Sequence, residues 1–78
     1  MGDELIEEKK LGAVARNFRE AADKSRAKAA RELDVARPTI FQAEEEPEQG
    51  LTKLRKRIIE EYSDFEVVGP FYVLRKKG

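Results

Sequence analysis

The sequence predicts a mainly α fold, a small bundle of about four helices with a short C-terminal β segment. Two observations predict it. Apolar residues recur at spacings of three and four along most of the chain as far as Tyr62, and this is the period of one helical face. From Phe65 onward the chain is instead rich in β-branched and aromatic side chains, which favour strands.

The first helix is expected from about Leu5 to Ala22. Its apolar positions fall on one face at helical spacing: Leu11, Val14, Ala15, Phe18, Ala21 and Ala22. Asp3 is the candidate N-cap, because a short acidic side chain accepts hydrogen bonds from the unpaired amides of a first turn. Asp23 and Lys24 interrupt the pattern and predict the end of this helix.

A second, shorter helix follows, and Ser25 is its expected N-cap. Ala29, Ala30 and Leu33 share one face of this helix and form its expected buried stripe. Two adjacent alanines on that stripe would let another helix approach closely. The helix is expected to end at positions 34–36.

The third helix is expected to open at Arg37-Pro38, because proline is tolerated in a first turn, where its missing N–H would be unpaired anyway. Ile40 and Ala43 are its expected core positions. Pro47 ends the helix and Gly50 lies in the loop that follows.

A fourth helix is expected over about Leu51 to Tyr62, and two short strands after it, at positions 65–68 and 71–74. Gly69-Pro70 between the strands does not match the favoured hairpin turns, so one edge strand broken at this point is the alternative. The predicted organisation is a helical domain over residues 1–64 and a β segment over residues 65–78 that belongs to the same domain.

The composition excludes several classes of function. The 78 residues contain no Cys and no His, which removes the usual thiol nucleophile, general base and metal ligands, and there is no Gly-rich phosphate-binding loop. We therefore expect no enzyme, no cofactor and no metal site. No apolar run approaches the roughly 18 residues that a membrane span needs, and the first residues are acidic, so we expect no membrane partner and a cytoplasmic location.

The most informative stretch runs from Ser25 to Glu44, within a predicted helix-turn-helix unit at residues 25–45. Two short helices are joined by a tight turn, and small or apolar residues stand where the second helix must pack across the first. This stretch resembles the phage-repressor and Cro-type helix-turn-helix proteins, also called the xenobiotic-response-element type. The residues that match the spacing of this family are Ala30, Leu33, Val35, Arg37, Ile40 and Glu44.

The resemblance implies a structural role for four residues. Ala30 would be the small residue at the helix crossing, Val35 the apolar residue of the turn, and Ile40 the core anchor of the recognition helix. Glu44 would be a structural carboxylate, which either Arg16 or Arg19 could pair. The chain departs from the family pattern at Asp34, where glycine is usual, and at Ala36, where a serine N-cap is usual.

The resemblance also implies double-stranded DNA as the partner, with residues 36–44 as a recognition helix in the major groove. Arg37 and Gln42 fall where family members contact bases, and Thr39 lies between them. Arg26 falls where a side chain commonly meets phosphate, and Lys28 and Lys53 at helix starts are further candidate phosphate contacts. An ordinary solvated surface residue is the alternative for each of these side chains.

Phe41 has two interpretations. It follows the expected core anchor Ile40 and should be partly exposed, so it could contact a thymine methyl group. The favoured interpretation places it under the N-terminal extension or the C-terminal β segment, because exposed aromatic side chains usually find cover.

The high proportion of apolar residues in the C-terminal segment predicts a homodimer. Phe65, Val67, Phe71 and Val73 are the expected interface, because unpaired strand edges template pairing with another chain, and Cro-type proteins end in strands that pair between subunits. A local hairpin that covers the core of its own chain is the alternative. The expected function is a repressor-like transcriptional regulator. The alternatives are a protein-interaction module, such as an antitoxin subunit, and a helix-turn-helix fold that has lost DNA binding.

Overall fold

The computed structural model describes residues 4–69 and 72–78, and its fold is mainly α, as predicted. The helices are α1 (Leu11–Ala21), α2 (Arg26–Leu33), α3 (Arg37–Glu45) and α4 (Thr52–Glu61), with a short 3-10 helix at Glu8–Lys10 before α1. The strands are β1 (Glu4–Leu5), β2 (Phe65–Val68) and β3 (Val73–Lys76). None of the described helices is long and apolar enough to cross a membrane.

One core joins the four helices and the sheet. Leu11, Ile40, Ile58 and Ile59 are fully buried at its centre, with Val67 and Leu74 closing it from the sheet. α1 crosses α3 closely at Gly12, where a Cβ atom would stand 2.5 Å from the carbonyl oxygen of Ala43. Only a glycine fits at this position. The crossing places the start of α1 directly against the last turn of α3.

The start of the first helix differs from the prediction. The chain before Leu11 forms β1 and the 3-10 helix instead of extending α1 back to Leu5. β1 pairs antiparallel with β3, with Leu5 opposite Val73, and the Ile6 amide donates to the Tyr72 carbonyl oxygen at 2.9 Å. Asp3, the predicted N-cap, lies outside the described residues. The N-cap position of α1 is Lys10, whose side chain makes no capping hydrogen bond.

The C-terminal segment forms two antiparallel strands, as predicted, and the sheet order is β1-β3-β2. The second strand is Val73–Lys76, which begins and ends two residues later than the predicted 71–74. Both pairings lie within one chain, so the local hairpin is the arrangement observed here. The outer-edge amides of β2 are occupied by side chains: Phe65 N–H donates to Ser63 Oγ and Val67 N–H to a Glu60 carboxylate oxygen, both at 3.0 Å. A strand from a second chain would have to displace both bonds before it paired with β2.

These contacts correct part of the expected dimer interface. Val67 is 5% exposed and packs in the core of its own chain, so its side chain has no surface to offer a partner. Phe65 is half-buried against Phe18, with the two ring centroids 5.7 Å apart, and Val73 is also half-buried. Phe71, the fourth residue of the expected interface, lies outside the described residues.

Basic side chains cap the C-terminal ends of three helices. Arg57 donates to the Leu33 carbonyl oxygen at the end of α2 at 2.8 Å. Lys77 donates to the carbonyl oxygens of Glu60, in the last turn of α4, and of Ser63, just after it. Arg55, which is 2% exposed, donates to the carbonyl oxygens of Ala43 and Glu46 at 2.7 and 2.9 Å. A cation at this end of a helix satisfies unpaired carbonyls and complements the helix dipole. Arg55 therefore ends α3 where the sequence has no glycine.

Candidate nucleic-acid interface

α2 and α3, with the short turn between them, lie in the stretch where the sequence predicts a helix-turn-helix unit. The Ser25 side chain caps α2 by accepting from the Lys28 amide at 3.0 Å. Asp34 adopts the left-handed conformation, with φ 59° and ψ 51°, and the Val35 amide donates to the Ala30 carbonyl oxygen at 2.9 Å. Aspartate is one of the few residue types that tolerate this conformation, so it replaces glycine in the turn.

The inward face of α3 is fixed to the rest of the fold. Ile40 and Ala43 are fully buried in the core, and the Glu44 side chain is fully buried beside them. Ala30 of α2 is 3% exposed, and Val35 in the turn packs against the core from its edge. All four residues expected to have structural roles therefore lie inside or at the border of the core.

Glu44 is the centre of a buried ion-pair network. One carboxylate oxygen accepts from Arg19 Nε at 2.6 Å, and the other accepts from a terminal nitrogen of Arg19 and from Arg26 Nε, both at 2.9 Å. The hydrogen bond to Glu44 raises the pKa of Arg19. The sequence left Arg16 and Arg19 open as partners, and Arg19 holds this position while Arg16 binds Glu20 and Glu45. The network fixes the rotation of α3 about its axis.

The outward face of α3 carries the residues expected to contact bases. Arg37 is exposed in the first turn, and Thr39 and Gln42 are half-buried along the helix. Arg37 forms no ion pair with any other described residue. Its guanidinium and the Gln42 amide can form the paired hydrogen bonds that guanine and adenine accept in the major groove.

The three candidate phosphate contacts have different surroundings. Lys53 is exposed in the first turn of α4 and lines a groove with Thr39, Val35 and Arg57, next to the start of α3. Lys28 lies instead along a groove at the corner of α1 and α2, with Glu20 and Asp23. Of the two lysines, the structure brings only Lys53 beside α3.

Arg26, the third candidate phosphate contact, forms ion pairs inside the protein. Besides its bond to Glu44, a terminal nitrogen donates to Glu45 at 2.6 Å, so two carboxylates compensate its charge. Its Cζ atom lies 5.0 Å from the centroid of the Phe41 ring. The Phe41 side chain packs against this arginine and keeps 44% of its surface exposed. The favoured expectation placed this side chain under a terminal segment, and among the described residues its neighbour is instead Arg26. Arg26 connects α2 with α3 through these ion pairs. Because the two carboxylates balance its charge, its attraction to a DNA phosphate is reduced.

Sequence reasoning missed the internal role of Arg55, and it left Arg19 as one of two candidate partners of Glu44. Arg55 stands in the basic run at positions 53–57, which the sequence alone presents as a charged helix face. A signal was present in the spacing, because Arg55 is one turn from Leu51 and Ile58, both on the apolar stripe of that helix. Arg19 likewise follows Ala15 by four residues on the buried face of α1.

No protein-family model, no curated protein and no solved structure matches this chain.

Proposed function

We propose that this protein is a sequence-specific regulator that binds double-stranded DNA as a homodimer, as the helix-turn-helix family it resembles does. The observation that carries the proposal is the two-sided character of α3. Its inward face is fixed by Ile40, Ala43 and the Glu44 network, whereas Arg37, Thr39 and Gln42 lie on its open side. A recognition helix needs both properties, because base contacts require side chains held in a fixed register.

The distribution of charge supports modest non-specific affinity. The net charge is zero, and Glu45, at the C-terminal end of α3, accepts hydrogen bonds from both Arg16 and Arg26. The arginines cancel a carboxylate that would otherwise repel the DNA backbone. Lys53, Arg37 and Arg57 lie next to the start of α3 and form no ion pair with another described residue, and Arg57 is already bonded to the Leu33 carbonyl oxygen. Few phosphate contacts predict a shallow salt dependence of binding.

The exposed face of the sheet supports association with a second chain. Leu5, Val73 and Val68 are register partners across the three strands, and Leu5 is 70% exposed. The opposite face, with Val67 and Leu74, is already buried on the helices. We therefore place the proposed dimer contact on this outer face, which is a revision of the predicted strand-edge interface.

The same apolar row supports the alternative function, a protein-interaction module such as an antitoxin subunit. A protein partner would cover Leu5 and Val73 without any role for α3. The other alternative, a fold that has lost DNA binding, requires a function neither of the open side of α3 nor of the apolar row on the sheet. Both alternatives differ from the main proposal in one property, since neither predicts that the chain selects a DNA sequence.

Selection from a randomised duplex pool at about physiological salt separates these functions. We expect the wild-type protein to enrich a palindromic motif with half-sites about one helical turn, roughly 10 bp, apart. Arg31→Ala, which removes an exposed arginine of α2, should enrich the same motif. Failure of the wild-type chain to enrich any sequence would contradict the proposal and favour the protein-interaction module.

A further inference from the structure

Phe41 is an exposed aromatic side chain on the open side of α3. With 44% of its surface exposed, it is one of two large apolar residues that are exposed in the described part of the chain, the other being Leu5. Among the described residues, the Arg26 guanidinium stacks on its ring. Large exposed apolar side chains on an otherwise polar surface mark contact sites.

The Phe41 ring is held in place from one side. The Arg26 guanidinium stacks on it at 5.0 Å, and Glu44 and Glu45 fix that guanidinium through hydrogen bonds of 2.9 and 2.6 Å. Glu44 is itself anchored by Arg19 in the core. The ring is therefore linked to the buried ion-pair network, and its position is set before any partner arrives.

The open side of the ring borders a shallow groove lined by Arg26, Arg37, Pro38 and Phe41. The groove therefore combines two apolar side chains of α3 with the guanidinium groups of Arg37 on α3 and Arg26 on α2. Arg37 forms no ion pair with another described residue, so its charge fits an anionic partner at this groove. DNA combines phosphates with a single kind of apolar group in its major groove. That group is the C5-methyl of thymine.

We propose that Phe41, with Pro38 beside it, forms the contact for a thymine C5-methyl group in the major groove, and so makes the chain prefer thymine at one position of each half-site. This inference rests on the proposed function. It deepens that function by naming the base group that the apolar part of α3 recognises. Arg26 acts here as a positioning residue, because it holds the ring and does not itself meet the base.

Single replacement of each thymine by deoxyuridine in the enriched duplex tests the inference. This change removes the methyl group and leaves the hydrogen-bonding groups of the base pair intact. We expect one thymine, or its two symmetric copies, at which the replacement weakens wild-type binding by about fourfold per methyl, the value of burying one such group. The test uses wild-type protein and needs no variant to fold.

Phe41→Ala and Phe41→Leu then assign the effect to this side chain. Phe41→Ala should bind the thymine and deoxyuridine duplexes equally, whereas Phe41→Leu should keep part of the preference because it remains apolar. Leu5→Ala, at the other exposed large apolar residue, is the matched control and should keep the full preference.

Three other outcomes would overturn the inference, and they differ in whether the proposed function survives. Specific binding that is insensitive to deoxyuridine at every position, or an enriched motif without thymine, rejects the methyl contact but leaves the proposed function intact. A deoxyuridine effect that persists in Phe41→Ala assigns the methyl to another residue. If the pool selection enriches nothing, the proposed function fails and the inference fails with it.

Discussion

Glu44→Ala is expected to destabilise the protein by about 3–5 kcal/mol, because it removes one partner of a buried ion pair and leaves the other uncompensated. The Glu44 side chain is fully buried and Arg19 has 6% of its side chain exposed, so water cannot replace the lost carboxylate. The loss is a large fraction of the whole free energy of unfolding of a small domain, which is about 5–15 kcal/mol. Urea unfolding followed by circular dichroism measures it, and thermal unfolding should show a midpoint at least about 12 °C lower.

Glu48→Ala is the matched control, since Glu48 is an exposed carboxylate in the loop after α3 with no ion pair to a described residue. It should change the free energy of unfolding by no more than about 0.5 kcal/mol. Glu44→Gln should fall between the two, because it keeps the shape and an acceptor but loses the charge. Equal stability of Glu44→Ala and Glu48→Ala would contradict a structural role for the network.

Arg37→Ala/Gln42→Ala is expected to lose most of the discrimination between the enriched duplex and a scrambled one. Each paired hydrogen bond to a base edge contributes about 1–3 kcal/mol to discrimination, so the two together change the ratio of the dissociation constants by at least about thirtyfold. Neither side chain is buried, so the fold should remain intact, which unfolding curves can verify. Titration of both duplexes with labelled DNA measures the ratio.

Lys53→Ala is expected to behave differently, because a phosphate contact carries no sequence information. It should weaken binding to both duplexes alike and reduce the salt slope by about one. Arg31→Ala controls for the loss of a positive charge away from α3 and should leave both affinities nearly unchanged. Equal losses on both duplexes from Arg37→Ala/Gln42→Ala and from Lys53→Ala would reject the assignment of α3 as the recognition helix.

The two helices α2 and α3 were predictable because their signals are local. Ser25 marks the start of α2 and Pro38 the first turn of α3, and the apolar spacing of Ala29, Ala30 and Leu33 gives the buried face directly. Even the substitution of aspartate for glycine in the turn follows from backbone chemistry at one position. Such features need only a few neighbouring residues to specify them.

Three features that the sequence did not specify depend on partners that are distant in the chain. The first helix begins later than predicted because Leu5 pairs with Val73. Which arginine holds Glu44 depends on packing between α1 and α3, and no local pattern distinguishes Arg16 from Arg19. Phe41 was expected to seek an apolar cover, but its stacking partner is a cation that two carboxylates hold in place.

Dimethyl sulfate protection on the enriched duplex tests the central claim most directly, because it reports guanine N7 in the major groove and adenine N3 in the minor groove as separate signals. With α3 in the major groove and Arg37 bonded to guanine, we predict N7 protection at one guanine in each half-site. The protection should disappear in Arg37→Ala at saturating protein while Arg31→Ala retains it. Unprotected N7 with protected adenine N3, or N7 protection that Arg37→Ala leaves unchanged, would contradict the account.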